Sequence, residues 1–391
     1  MLNTSLSPWP SFTQEEADAV SRVLLSNKVN YWTGQECREF EKEFAAFAGT
    51  EYAVALANGT LALDVALKAM NIGAGDDVIV TSRTFLASAS AIVTAGANPV
   101  FADVDLNSQN ISADTIQTAL TPATKAIIVV HLAGMPAEMD AIMALAEKHK
   151  LWVIEDCAQA HGARYKGRPV GSIGHVGAWS FCQDKIMTTG GEGGMVTTND
   201  KALWLKMWAY KDHGKSYDAV YHREHAPGFR WLHESFGTNW RMMEMQAVIG
   251  RIQLKRMPDW TAKRQANAAK LAQSLGKFAC IRLVDVPDYI EHAQYKFYAF
   301  VNTGRLKAGW TRDRIVDELN ALKVPCYQGS CSEVYLEKAF DNTPWRPQQR
   351  LKNAVELGDT SLMFLVHPTL TEAEIAFCCQ HIETVLTQAC A

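Results

Sequence analysis

The stretch "WSFCQDKIMTTGGEGG", Trp179 to Gly194, contains one lysine. Lys185 follows a strand-like run and precedes a glycine cluster unsuited to regular helix or strand. It is either a solvated loop lysine or an amine presented to a bound molecule. Upstream, "IEDCAQAHG" sets Glu155 and Asp156 at the end of an apolar run. A buried acid there needs a partner: an arginine, a metal or a protonated ring nitrogen. A structural ion pair and a ligand contact both meet that need, and Gln159 could offer an amide to the same ligand. "NGTLAL", beginning at Asn58, places Asn-Gly-Thr where a strand gives way to a helix. Free N–H groups and the helix dipole suit a phosphate at such a turn. Asn and Thr also serve there simply as caps.

If neighbouring parallel strands carry Asp156 and Lys185, both groups reach one edge of the sheet. An amine, a carboxylate and a phosphate cradle converging there fit pyridoxal 5′-phosphate, whose aldehyde, ring nitrogen and phosphate need those three partners. Rival motifs fail on spacing. "GGEGG" lacks the Lys-Ser/Thr of a P-loop, and Gly171 to Gly177 runs GxxGxxG rather than GxGxxG. His222 and His225 in "HREH" lack the order of a zinc protease and read as a polar loop, so no metal is expected. Trp152, Trp204 and Trp208 read as core or interface aromatics.

The elements that must position these groups are visible as periodicity. Thr13 and Glu16 form a capping box that opens a helix toward Leu25. Cys37, Phe40, Phe44 and Phe47 fall at helical spacing, closed by Gly49. "YAVAL", "DVIV", "NPVFADV", "KAIIVV" and "LWVIED" read as buried strands, with helices near 60–72, 84–96, 112–120 and 138–149. This alternation predicts an α/β fold with a mainly parallel sheet, and ligands at the carboxyl ends of its strands. "NWRMMEMQAVIGRIQLKRM" reads as an amphipathic helix with Met245, Val248, Ile249 and Ile252 on one face. The character changes near Pro258, where a long helix, the strand-like "QYKFYAFVNT" and a helix from about Thr371 suggest a smaller unit. The expected division is a large α/β domain over 1–257 and a small C-terminal α+β domain over 258–391.

The chain has 391 residues and a formal net charge of −4, which gives no electrostatic reason to expect nucleic acid or an anionic membrane. "MLNTSLSPWPSF" shows no signal-peptide pattern, and no apolar run approaches a bilayer span. The nine cysteines are scattered without a CxxC pair, which argues against a zinc ribbon or a disulfide framework. Together these features point to a reducing cytoplasm.

Several ordered motifs resemble those of one family. "FEKEFAAFAGTEYAVALANGTLAL", "DVIVTSRTFLASASAI", "VVHLAGMPAEMD", "VIEDCAQAHGARY", "WSFCQDKIMTTGGEGGMVTTND" and "FGTNWRMMEMQAVIG" are similar to the DegT/DnrJ/EryC1/StrS sugar aminotransferases, pyridoxal-phosphate enzymes of the aspartate aminotransferase fold. The resemblance covers essentially the whole chain. It implies that Lys185 links covalently to the cofactor and shuttles protons, and that Asp156 pairs with the pyridinium nitrogen. It implies Gln159 on the ring hydroxyl, Phe85 stacked on the ring, and Asn58, Gly59, Thr60 and Ser180 at the phosphate. Asn58 stands where a serine is common, which leaves its side-chain contact open. Asn239, in the family's G-x-N-x-R pattern, would reach a phosphate in the neighbouring subunit of a homodimer. Arg241 and Tyr327 would lie toward the substrate.

The implied activity is transfer of an amino group from L-glutamate to a keto nucleotide sugar in bacterial surface-glycan biosynthesis. The expected acceptor is C4 of a UDP-linked 4-keto-6-deoxy-N-acetylhexosamine, as on a bacillosamine-type route. A dTDP- or GDP-linked sugar, or amination at C3, is the alternative. Lys185 argues against the dehydratase branch of the family, which carries histidine there. A non-catalytic regulator or scaffold with this fold is the reading from another class.

Overall fold

The computed structural model describes residues 6–391. Met1 to Ser5, the start of the stretch read above for a leader, lie outside the described residues. Two helices open the chain, α1 (Gln14–Leu25) and α2 (Glu36–Ala48). The Glu16 carboxylate accepts the Thr13 N–H at 2.9 Å, as the capping-box spacing requires. Alternation follows through β1 (Tyr52–Leu56), α3 (Gly59–Ala69), β2 (Asp77–Thr81), α4 (Leu86–Thr94), β3 (Asn98–Ala102), α5 (Ala113–Ala119), β4 (Thr124–Val130), α6 (Met139–His149) and β5 (Trp152–Asp156). Two short strands, β6 (Arg164–Tyr165) and β7 (Arg168–Pro169), lead to β8 (Val176–Ser180) and β9 (Gly194–Thr198). Then come α7 (Lys201–Tyr210) and α8 (Tyr217–Tyr221).

The large sheet has seven strands in the order β1-β9-β8-β5-β4-β2-β3. All run parallel except β9, which lies antiparallel between β1 and β8. Successive residues of one strand face opposite layers. Ile128 and Ile154 join the core under α3, α4 and α7, whereas Ile127, Val129 and Val153 join the core with Ile116 and Ile142 of α5 and α6. The fully apolar runs are therefore what a two-sided sheet demands. The strand β9 was absent from the expected set, because Gly194 reads as part of the glycine loop before it.

The amphipathic segment and the following long helix are one element, α9 (Glu244–Leu275), which continues through Pro258. No secondary-structure boundary falls at the expected division. The first part of α9 packs Ala247, Leu254 and Met257 against α2 and β8. Its last turns place Ala268, Leu271 and Leu275 in a separate core. The expected apolar face is shifted in part: Ile252 is buried, together with Ala247, Gly250, Leu254 and Met257, while Met245, Val248 and Ile249 are only half-buried.

After α9 the chain forms β10 (Ile281–Leu283), β11 (Ile290–Glu291), β12 (Phe297–Val301), α10 (Arg312–Ala321), β13 (Cys326–Tyr327), α11 (Lys352–Thr360), β14 (Ser361–Phe364) and α12 (Glu372–Ala389). An antiparallel sheet of order β10-β12-β14-β13 carries the second core, while β11 returns to pair with β6. Cys280 and Cys390 form a disulfide across 110 residues, with Cα atoms 5.5 Å apart. The cysteine spacing, read as arguing against a disulfide framework, gives no sign of this single pair, which forms where α12 packs along α9 and brings Cys390 back to Cys280. Among the described residues, no helix is long and apolar enough to cross a membrane.

Candidate active site

A cavity of about 610 Å³ opens at the carboxyl ends of β1, β5 and β8. Asn58, Gly59, Thr60, Phe85, Asp156, Gln159, Ser180 and Lys185 all line it. Asp156 ends β5 and pairs in register with Ala178 of the parallel neighbour β8. Lys185 hangs from the loop that leaves β8. The two groups meet because adjacent parallel strands deliver their following residues to one edge.

Asp156 is buried, and its contacts are neutral. Ser88 Oγ donates to one carboxylate oxygen at 2.8 Å, and the Ala158 N–H donates to the other at 3.1 Å. Burial raises its pKa, and these two donors offset that only in part. Among the described residues no cation lies within ion-pair distance of it, although Lys185 is near enough to lower its pKa; a protonated ring nitrogen would supply the close cation. Its neighbour Glu155 needs none. Burial would raise Glu155, but the His131 ring at 2.9 Å and the N–H groups of Gly171 and Gly174 bring it below the usual carboxylate range. The sequence left both acids open; the structure makes Glu155 a structural pair and leaves Asp156 facing the cavity.

The cradle is built by close backbone approach. A Cβ on Gly59 would lie 2.5 Å from Ser180 Cβ, and one on Gly194 would lie 2.2 Å from the Asn58 carbonyl oxygen. Asn58 caps α3, accepting the Leu61 N–H at 3.0 Å. Its side-chain oxygen is thereby engaged in the cap, the position where the sequence left a phosphate contact open. Gly59 and Thr60 provide the first N–H groups of the helix, which suit an anion. Gln159 accepts the Ala133 N–H at 2.8 Å through Oε1, leaving its amide nitrogen without a protein acceptor among the described residues. Phe85, 70 % exposed, stands at the N-terminus of α4 on the cavity wall. This donor set fits pyridoxal 5′-phosphate: an amine, an unpaired buried acid and a phosphate-sized turn around one cavity.

Tyr327, Arg241 and Asn239 do not line this cavity, and Asn239 was expected at that of the neighbouring subunit. Tyr327 sits on β13 against Leu365, Leu370 and Ile375. Arg241 donates to Asp212 at 2.7 Å, an ion pair outside the cavity wall. Asn239 does not begin a helix. It bridges Asp212 in an extended segment, and α9 starts only at Glu244. The reason is tethering: Trp240 donates its N–H to the Lys211 carbonyl at 3.0 Å and accepts that of Ala57 at 3.0 Å.

Sequence reasoning missed Ser88, Asp184 and Trp9. Asp184 lines the cavity, accepts the Tyr295 hydroxyl and lies 3.7 Å from Lys185 Nζ. Trp9 Nε1 donates to the Lys185 carbonyl at 2.8 Å. Long-range folding alone brings Ser88 and Trp9 here, and Asp184, though next to Lys185 in the chain, belongs to no local pattern.

The comparisons agree with this geometry. A family model described as the DegT/DnrJ/EryC1/StrS aminotransferase family matches residues 10–383. GDP-perosamine synthase from Caulobacter vibrioides is 38% identical over 372 residues, covering 94% of this chain and 94% of that protein. UDP-N-acetyl-3-dehydro-alpha-D-glucosamine 3-aminotransferase from Acidithiobacillus ferrooxidans is 37% identical over 363 residues, 91% of this chain and 90% of that protein. The crystal structure of an aminotransferase from Psychrobacter cryohalolentis is 66% identical, with a TM-score of 0.97 over 98% of this chain and 99% of that one. The chain belongs to the DegT/DnrJ/EryC1/StrS aminotransferase family and is a pyridoxal 5′-phosphate-dependent sugar aminotransferase.

Proposed function

We propose that this enzyme transfers an amino group from L-glutamate to C4 of a UDP-linked 4-keto-6-deoxy-N-acetylhexosamine. The observation that carries the reaction class is that one open cavity holds both Lys185 and a buried Asp156 with no ion-pair partner among the described residues. The exposed Phe85 and the wide mouth leave room for a substrate larger than an amino acid. The UDP and C4 assignments rest on the motif resemblance over the whole chain. The relatives named above are named for GDP- and UDP-linked sugars, so another nucleotide or C3 is the alternative.

When bound, the cofactor supplies an electron sink at its ring. Lys185 would hold it through its amine and, as a free amine, would take up and return the proton of the donor α-carbon. Asp156 would keep the ring nitrogen protonated, and Ser88 would keep Asp156 oriented. Gly59, Thr60 and Ser180 would hold the phosphate. Glutamate gives up its amino group and, with one water consumed, leaves as 2-oxoglutarate; the keto sugar takes that group up, releases one water and leaves as an amino sugar.

The site is completed by a second copy of the chain. Asn239 lies outside its own subunit's cavity wall, on a segment flanked by uncovered aromatics: Trp231 is 79 % and Phe236 100 % exposed. The half-buried Met245, Val248 and Ile249 extend that surface along α9. A two-fold dimer would cover it and bring Asn239 to the partner's phosphate. Incubation with glutamate and a panel of keto nucleotide sugars, read by mass spectrometry, tests the substrate. Amination of the UDP 4-keto sugar above all others is expected; preference for a GDP, dTDP or 3-keto sugar replaces that assignment.

A further inference from the structure

Behind Lys185 lies a cluster of positive charge that the reaction described above does not use. The Tyr295 ring is flanked by two lysines, with Lys185 Nζ 5.4 Å and Lys296 Nζ 4.7 Å from its centroid. Arg264 of α9 reaches the same place and is 1 % exposed. Its Nη1 makes only long contacts, 3.4 Å to the Tyr295 carbonyl and 3.5 Å to that of Gln294. Its Nε and Nη2 have no partner among the described residues. Trp9 joins the cluster to the reactive loop, with Arg264 Cζ 5.1 Å from its ring and its Nε1 on the Lys185 carbonyl at 2.8 Å.

Lys185 and Lys296 act on the carboxylate of Asp184, which already accepts the Tyr295 hydroxyl, and Lys185 acts on Asp156 as well; among the described residues no carboxylate is paired with Arg264. Burial pushes Lys296 down to about 8 and Arg264 to about 9, as expected of cations short of counter-charge. His367, stacked on Trp9, is pushed by burial to about 3 and adds no charge near neutrality. The orphaned Nε and Nη2 form one edge of the guanidinium, the edge that grips a carboxylate through two parallel hydrogen bonds. A buried guanidinium edge without acceptors is costly unless an anion fills it.

We propose that Arg264 and Lys296 form a carboxylate site for the amino donor beside Lys185. Arg264 takes the carboxylate edge-on, and Lys296 adds the second charge. The inference rests on the aminotransferase reading for the identity of the donor. The keto sugar carries no carboxylate of this kind, so the site serves the first half-reaction and not the second.

The test uses holoenzyme and glutarate, a dicarboxylate that has no amine to react. Titration calorimetry should show glutarate binding to the wild type and about tenfold or more weakening in Lys296→Met, the loss expected for a charge-assisted contact. Lys296→Arg should recover most of it. In rapid mixing, Lys296→Met should lower kcat/KM for glutamate by a similar factor. Turnover of the keto sugar by the aminated enzyme should stay within about twofold. Arg264→Met should repeat the pattern, and if it does not fold, the Lys296 pair decides alone. No glutarate binding by the wild type, unchanged affinity in Lys296→Met, or equal loss in both half-reactions overturns the site. If the wild type accepts no amino group from glutamate, the donor assignment fails, and the glutarate titration still settles whether the anion site exists.

Discussion

The Ser88 hydroxyl donates to the Asp156 carboxylate at 2.8 Å, from the first turn of α4 to the last residue of β5. That bond favours the charged acid against a burial that raises its pKa. Ser88→Ala should therefore raise it further. The acidic limb of kcat/KM should move to higher pH. An unmoved limb would show that Ser88 has no hold on Asp156.

The same acid sets a pH dependence in the apoprotein. Because its folded pKa lies above the ordinary 3.8, the folded chain keeps a proton that the unfolded chain has released. Stability from this group is fully present below the ordinary value and is lost as pH climbs through the raised one. Asp156→Asn should flatten the melting curve over that range while lowering holoenzyme turnover about 10²-fold or more. Near-normal turnover would reduce Asp156 to a structural residue.

Lys185 should carry the cofactor. Borohydride treatment of yellow holoenzyme, followed by peptide mapping, is expected to place the reduced adduct on Lys185. An adduct on Lys296 or Lys211 instead would overturn the assignment.

A methyl group on Gly59 has nowhere to go, because Ser180 Cβ would lie 2.5 Å away. Gly59→Ala should widen the turn and weaken cofactor retention on dialysis by about tenfold or more, with the far-ultraviolet spectrum preserved. Full retention would mean that the phosphate is held elsewhere.

Shared sites predict rescue. Lys185→Ala removes the amine, and Asn239→Glu places a carboxylate against the partner's phosphate. In a mixed dimer one site collects both lesions and the other has neither, so co-refolding the two inactive variants should restore up to about half of the activity per mixed dimer. No recovery, with mixed dimers verified by mass, ends the shared-site model.

The sheet strands were legible because a strand buried on both faces must be apolar throughout, as Val153 and Ile154 illustrate by facing opposite cores. Asn58 was legible as a cap for the same local reason. What the sequence did not show was decided at a distance. Asn239 looked like a helix start because the helical pattern of α9 extends backward past it, and only the tether to Lys211 and Ala57 shows the chain to be extended. The change of character read near Pro258 gave no hint that the proline lies inside one helix, which packing on two cores holds together across it. Ser88 and Trp9 gave no signal at all, since an ordinary serine and an ordinary tryptophan acquire meaning only from partners 68 and 176 residues away.

The unbroken α9 has a mechanical meaning. At ~1.5 Å per residue it is a rod of roughly 48 Å, sunk at one end beside β8 and at the other beneath the small antiparallel sheet. Arg264 lies on that rod between the two anchorages. Severing the chain at residue 257 would cut through a shared beam and leave each stump with a bare apolar flank. Both fragments should be insoluble alone, and the distance between reactive lysine and small sheet is set by a strut rather than left to a pivot.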